Sequence, residues 1–138
     1  MSSHTAGKTV VFLLRFLGIN GLLALIFLVM PFSWIEQIHN WSGLGDMPDA
    51  PIVRYLTRSI CLFYALFGSI LIMISLDLVR YRRLVWFTGM LFPLIGIILL
   101  GVDIIEKLPL SWILSEGPFM IVFGLLFLWL LRIMDRED

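Results

Sequence analysis

The stretch ICLFYALFGSILIMISLDLVRYRR, residues 60–83, decides the fold. It closes a longer apolar run, Ile52–Leu78, and stops on a tight basic turn, Arg80–Arg83. A membrane β-strand would alternate polar and apolar residues over ~10 positions. This run is continuous, so it reads as a helix, and ~20 apolar residues at ~1.5 Å each cross ~30 Å of hydrocarbon. Leu84–Val102 forms a second such run directly after the turn. Further out, Val10–Met30 precedes the pair and Pro118–Met134 follows it. The last reaches spanning length only if it begins near Glu116. In 138 residues that are 60% hydrophobic, four such helices leave no room for a second domain. The expectation is an all-α, four-transmembrane-helix bundle, residues 1–138 forming a single integral membrane domain.

The charges sum to zero but sort by position. Lys8, Arg15, Arg80, Arg82, Arg83, Arg132 and Arg136 lie at one set of helix ends. Glu36, Asp46, Asp49, Asp103, Glu106 and Glu116 lie at the other, against Arg54, Arg58 and Lys107. Short basic loops stay in the cytoplasm. Both termini and the Arg80–Arg83 turn are therefore expected inside, and the two longer connections outside, in a bacterial inner membrane. The first run is too long for a signal peptide, and Val29, Met30, Pro31 and Phe32 follow it where a small-residue cleavage site would stand. It is expected to be retained as a span. The lipid bilayer is a partner by composition. Another membrane subunit or a second copy is a further expected partner, and nucleic acid is not.

Outside the spans, residues 1–7 form a polar tail expected to be disordered. Phe32–Trp41 places Trp34, Ile35, Ile38 and Trp41 at helical spacing, which predicts a short helix lying in the outer interface. Ser42–Pro51 is a loop rich in Gly, Pro and Asp, and Asp103–Gly117 is the second outer connection. The two connections share a pattern. MPFSWI (30–35) follows the first span and LPLSWI (108–113) follows the third, and in the same register Leu17–Ile19 falls on Ile95–Ile97 around a glycine. Two repeated hairpins account for this. So does convergence, since proline starts the next helix and tryptophan anchors it at the interface.

Ionisable residues within or at the edge of a span are functional candidates. Arg54 and Arg58 stand four apart on one face of the second span, and that face continues through Leu62, Ala65 and Ser69 toward small residues suited to helix contact. It is expected to point inward. Asp103, Glu106 and Glu116 lie at a similar depth. The candidate ligand-binding set is Arg54, Arg58, Asp103 and Glu116, an outer charged layer in which the arginines are bidentate donors to an anionic headgroup. Inter-helix salt bridges and snorkelling to lipid phosphate explain the same residues structurally. Glu116 favours the positive end of the fourth helix with Ser115 as its cap, or else acts as a proton-exchanging acid paired with Arg58. Arg15, Asp77 and Arg80 are expected to form structural polar pairs on the inner side, Arg15 with Asp77 or Asp77 with Arg80. Asn20, near the middle of the first span, is expected to hydrogen-bond a neighbouring helix.

Several chemistries have no residues to support them. Cys61 is the one cysteine, so disulfide exchange within the chain is excluded. Bis-imidazole haem needs histidines in the spans, whereas His4 and His39 lie outside them. Retinal attachment needs a membrane lysine, and Lys8 and Lys107 are at ends. A zinc site needs clustered ligands, and only a stretched Glu36–His39 pair exists. No metal or cofactor is expected, and the sequence assigns no catalytic residue.

The loop WSGLGDMPDAP (41–51), the VRYLTRS opening (53–59), the Asp-x-x-Arg-Tyr-Arg turn (77–82) and SEGP (115–118) together resemble the small four-helix bacterial membrane proteins grouped as DoxX-like. The resemblance implies four spans and, for some such proteins, association with respiratory or sulfur redox enzymes. It carries over no catalytic residue. The expected function is an accessory or binding protein that supports a partner subunit or binds a lipid-like ligand in the outer charged layer. The alternative is a membrane enzyme acting on a lipid or quinone headgroup. Oligomeric transport lacks a carboxylate in the central layer of the spans.

Overall fold

The computed structural model describes residues 2–136, which form helices joined by short loops, with no strand among them. Six helices follow one another: α1 (Ser3–Val29), α2 (Phe32–Trp41), α3 (Pro51–Leu76), α4 (Arg82–Ile105), α5 (Leu110–Ser115) and α6 (Gly117–Asp135). Four stretches are long and apolar enough to cross a bilayer: α1, α3, α4 and the consecutive pair α5–α6, at 27, 26, 24 and 26 residues. The shortest covers about 36 Å, more than the ~30 Å of hydrocarbon. The chain is thus an all-α, multi-pass membrane protein, as its composition requires.

The helix ends differ from the sequence reading in two places. The polar segment expected to be disordered belongs to α1, which starts at Ser3 (Met1 lies outside the described residues). The Ser2 hydroxyl accepts the Thr5 N–H at 3.3 Å and its carbonyl accepts the Ala6 N–H at 2.9 Å, an N-cap that satisfies first-turn donors. The connection expected over 103–117 contains the last turn of α4 and all of α5. Lys107, at φ 56, ends α4, with its N–H bonded to Ile104 and that of Leu108 to Asp103. This is the Schellman arrangement. Gly43, at φ 78, ends α2 in the same way, its N–H bonded to Asn40 and that of Leu44 to His39. Between α5 and α6, Pro118 has no N–H to donate back to Leu114, so the helix breaks at Glu116.

The chain divides into two compact units, Leu14–Met73 and the described residues on either side of it, with the boundaries inside α1 and α3. Within Leu14–Met73, α1 meets α3 at glycines. A methyl group on Gly68 would lie 2.5 Å from the Gly18 carbonyl oxygen, and one on Gly21 would lie 2.7 Å from that of Tyr64. Such distances leave no room for any side chain, so the two backbones touch directly.

The other unit repeats the device between α4 and α6. Methyls on Gly96 and Gly117 would lie 2.6 and 2.8 Å from each other's carbonyl oxygens. Further along, the Pro93 ring occupies the space beside Gly124, and Gly89 lies against Phe127 and Leu128. Phe92 and Phe127 pack edge to face at 6.3 Å between centroids, with Phe127, Leu130 and Leu131 fully buried. An ion pair between Arg82 and Asp135 joins the far ends of the two helices, and Gly7 of α1 faces Met134.

A side chain at Gly124 must displace the Pro93 ring, whereas Gly101 faces open space. Gly124→Ala is expected to destabilise the protein by about 1–3 kcal/mol through overpacking. Gly101→Ala, inside α4, should cost nothing and raise stability by up to about 1 kcal/mol, because alanine is the better helix former. Thermal unfolding of both variants in detergent checks the contrast.

Candidate functional site

Arg54 and Arg58 stand one and two turns into α3, which opens at Pro51. The proline suits the first helical position because its missing N–H would have had no partner there. Arg54 Nη1 lies 3.2 Å from Asp49 Oδ1, and its guanidinium lies over the Phe32 ring at 5.7 Å. One side chain thus ties the 42–50 loop and α2 to the start of α3. Both partners of the pair are largely exposed, at 45% and 69%, so it contributes no more than about 1 kcal/mol.

Arg58 is different. It is exposed, and among the described residues it has no ion pair and no hydrogen bond. Its helical face continues through Cys61, Ala65 and Gly68, all buried. The buried face of α3 therefore runs through Cys61, Ala65 and Gly68, and of the expected inward positions Leu62, Ala65 and Ser69 only Ala65 is on it. At the arginines it is open, and Leu62 and Ser69 are also exposed. The close contact with α1 is centred on Gly68, ten residues beyond Arg58 and well away from the helix start.

Asp103 and Glu116 belong to the other unit. Asp103 is 3% exposed, and its Oδ2 has no hydrogen-bond partner. It lies one turn beyond Leu100 and two beyond Gly96, both of which lie against Gly117 at the start of α6. Glu116 is half-buried and occupies the N-cap position of α6, but no side chain caps this end. Its Oε2 accepts the Trp112 indole N–H at 3.0 Å, and the Ser115 hydroxyl donates to the Trp112 carbonyl at 2.9 Å. The expected Ser115 cap is therefore not formed. The tight Leu110–Ser115 turn places Trp112 one turn from Glu116 and takes both polar groups for itself.

Of the residues expected in structural polar pairs, Asp77 Oδ1 accepts the Arg80 backbone N–H at 3.0 Å and closes the α3–α4 turn. The Arg80 guanidinium instead lies over Tyr81, 5.6 Å from the ring centroid. Arg15 is exposed on α1. Asn20 does not reach a neighbouring helix: its side-chain amide donates to the Phe16 carbonyl at 2.8 Å, the acceptor always within reach one turn back.

Sequence reasoning missed the Trp112–Glu116 bond, although the i,i+4 spacing was its signal. On α2 the predicted apolar positions divide. Ile35 is buried, while Trp34 and Trp41 are 59% and 89% exposed and Ile38 lies exposed between them. Trp34, Gln37, Ile38 and Trp41 line a shallow apolar groove along this face. His39 Nδ1 lies 2.8 Å from the Gly45 carbonyl oxygen and fastens the loop, rather than joining Glu36. No group of three His, Cys, Asp or Glu side chains is placed to hold a metal among the described residues.

Fold and polar residues together define a small multi-pass helical membrane protein. No family model matches the chain, and neither a curated protein nor a solved structure is significantly similar to it.

Removing the Glu116 carboxylate should free the Trp112 indole N–H. In amide-and-indole NMR spectra of detergent-solubilised protein, Glu116→Ala is expected to move one of the five tryptophan indole resonances upfield, that of Trp112. The same substitution should cost about 1 kcal/mol of stability. An unmoved Trp112 resonance would show the bond to be absent.

Proposed function

We propose that the chain is an accessory or binding protein of the bacterial inner membrane, which supports a partner subunit or holds a lipid-like ligand at its outer side. The carrying observation is Arg58, an exposed guanidinium within a membrane span that has no counter-charge or hydrogen bond among the described residues. A charge in that position is costly unless something answers it. The groups nearest in sequence do not: Asp49 is taken by Arg54, and the Thr57 hydroxyl donates to the Val53 carbonyl. A binding role follows from a charge that the protein itself leaves unanswered.

The orientation rests on the distribution of basic residues. Lys8, Arg80, Arg82, Arg83, Arg132 and Arg136 support an orientation with both termini and the α3–α4 turn in the cytoplasm. Arg54 and Arg58 then stand toward the outer leaflet. The likeness in layout to DoxX-like proteins belongs to the same reading, some of those proteins being associated with respiratory or sulfur redox enzymes.

Extraction in mild detergent followed by affinity purification and intact-mass analysis tests the proposal. The expected product carries a second polypeptide in fixed proportion, or retained lipid. A monodisperse monomer with neither would refute a binding role.

A further inference from the structure

We infer that α1 carries a docking surface for a second copy of this chain, in which Asn20 of each copy hydrogen-bonds Asn20 of the other in the middle of the bilayer. The surface is separate from Arg58, and the inference does not depend on the binding role proposed above.

Asn20 is the middle residue of the apolar run Val10–Met30, so about 15 Å of hydrocarbon separate it from either headgroup layer. It is exposed, and its side chain is too short to reach water as a lysine or arginine would. One amide hydrogen goes to the Phe16 carbonyl at 2.8 Å. The side chain makes no other hydrogen bond among the described residues, which leaves the second N–H and the carbonyl oxygen without a partner. Lipid tails offer neither donor nor acceptor. Only another protein group at this depth can answer them.

A second copy supplies that group. Copies inserted by the same charge rule share one orientation, so a two-fold axis along the membrane normal brings each position on α1 opposite itself. A charged side chain in this place would repel its copy, whereas an amide is self-complementary. Its free N–H donates to the carbonyl oxygen of its counterpart, and the counterpart donates back. Two hydrogen bonds close symmetrically across the axis.

The residues around Asn20 have the spacing of such a seam. Phe16, Asn20, Leu23 and Phe27 follow one another at intervals of four, three and four residues, the repeat of two helices in a left-handed supercoil. None of the four is buried. They lie on the side of α1 away from Gly18 and Gly21, which meet α3. Ile19 and Ile26, both exposed, border the stripe. A single asparagine in an apolar seam fixes register, because any slip leaves it against hydrocarbon. One side of α1 thus serves its own chain, and the other fits a second copy.

The test is Förster transfer between donor- and acceptor-labelled full-length chains in liposomes, read across a range of protein-to-lipid ratios. The unaltered chain is expected to dimerise. Asn20→Leu should weaken the dimer about tenfold, and Asn20→Gln should keep most of the affinity because the amide remains. In a Cys61→Ser background, oxidation should join two copies through Leu23→Cys but not through Leu25→Cys, which lies on the glycine side of α1. A chain that stays monomeric at every ratio overturns the inference. So does a dimer unaffected by Asn20→Leu, or one joined through Leu25→Cys rather than Leu23→Cys. Cross-linking of Leu23→Cys to a different polypeptide in whole membranes, with none between copies, would assign the face to another subunit and also overturn it. The binding role is read from co-purified polypeptide or lipid, so a monomer that carries either would refute this inference and leave that role standing.

Discussion

Direct contact between helix backbones at glycine is the interaction on which the structure depends. In a bilayer, apolar side chains gain little by leaving lipid for protein, so helices associate through close packing rather than through the hydrophobic effect. Gly18 and Gly21 meet Gly68 in one unit, and Gly96 meets Gly117 in the other. At each meeting a methyl group would strike the opposite carbonyl oxygen or backbone. These contacts fix the face that each helix turns toward its neighbour, and hence the residues left outward. Arg58 lies ten residues from the contact at Gly68, where α3 no longer touches α1 so closely, and its guanidinium is exposed.

The segments leading into the two short helices match in sequence. Adding 78 to a residue number carries Gly18 to Gly96, Pro31 to Pro109 and Trp34 to Trp112. The local structure follows the sequence. Pro31 and Pro109 have φ,ψ of −55°, 136° and −56°, 143°, and each precedes a short helix. Each carbonyl accepts the N–H of the tryptophan three residues on, at 3.0 and 2.9 Å. Convergence on an interfacial turn explains the proline and the tryptophan. The glycine thirteen residues earlier touches a different part of its partner helix in each, Gly18 meeting Gly68 well inside α3 and Gly96 meeting Gly117 at the start of α6, so the backbone contacts do not extend the repeat into the second helix. The copies then diverge: α2 runs for ten residues and ends at a glycine, whereas α5 stops after six at the break before Pro118.

What was legible in the sequence was whatever depends on composition and local chemistry. Continuous apolar runs located the spans, because the bilayer requires every backbone polar group to be satisfied within a helix. Phe32–Trp41 could be bounded to the residue because a proline opens it and a glycine closes it. Tertiary proximity was not legible. Helical spacing put Arg54 and Arg58 on one face, but it did not show that both would be exposed, as Leu62 and Ser69 are. Ser115 looked like a cap until the break before Pro118 turned it and Glu116 toward Trp112. Nor does any local pattern announce that Asp103 is buried with one carboxylate oxygen unpartnered, since Glu106, one turn on, is exposed.

The binding role presupposes that the glycine contacts set the helix faces. Solid-state NMR on the full chain, labelled with 13C at glycine alone and reconstituted in bilayers, tests this most directly. Sequence-local glycine pairs occur only as Gly18–Gly21, Gly43–Gly45 and at spacings too wide for contact along one helix. Inter-helix cross-peaks are predicted for Gly21–Gly68 and for Gly96–Gly117, each lost when one member is replaced by alanine. A spectrum containing only the sequence-local pairs would contradict the account.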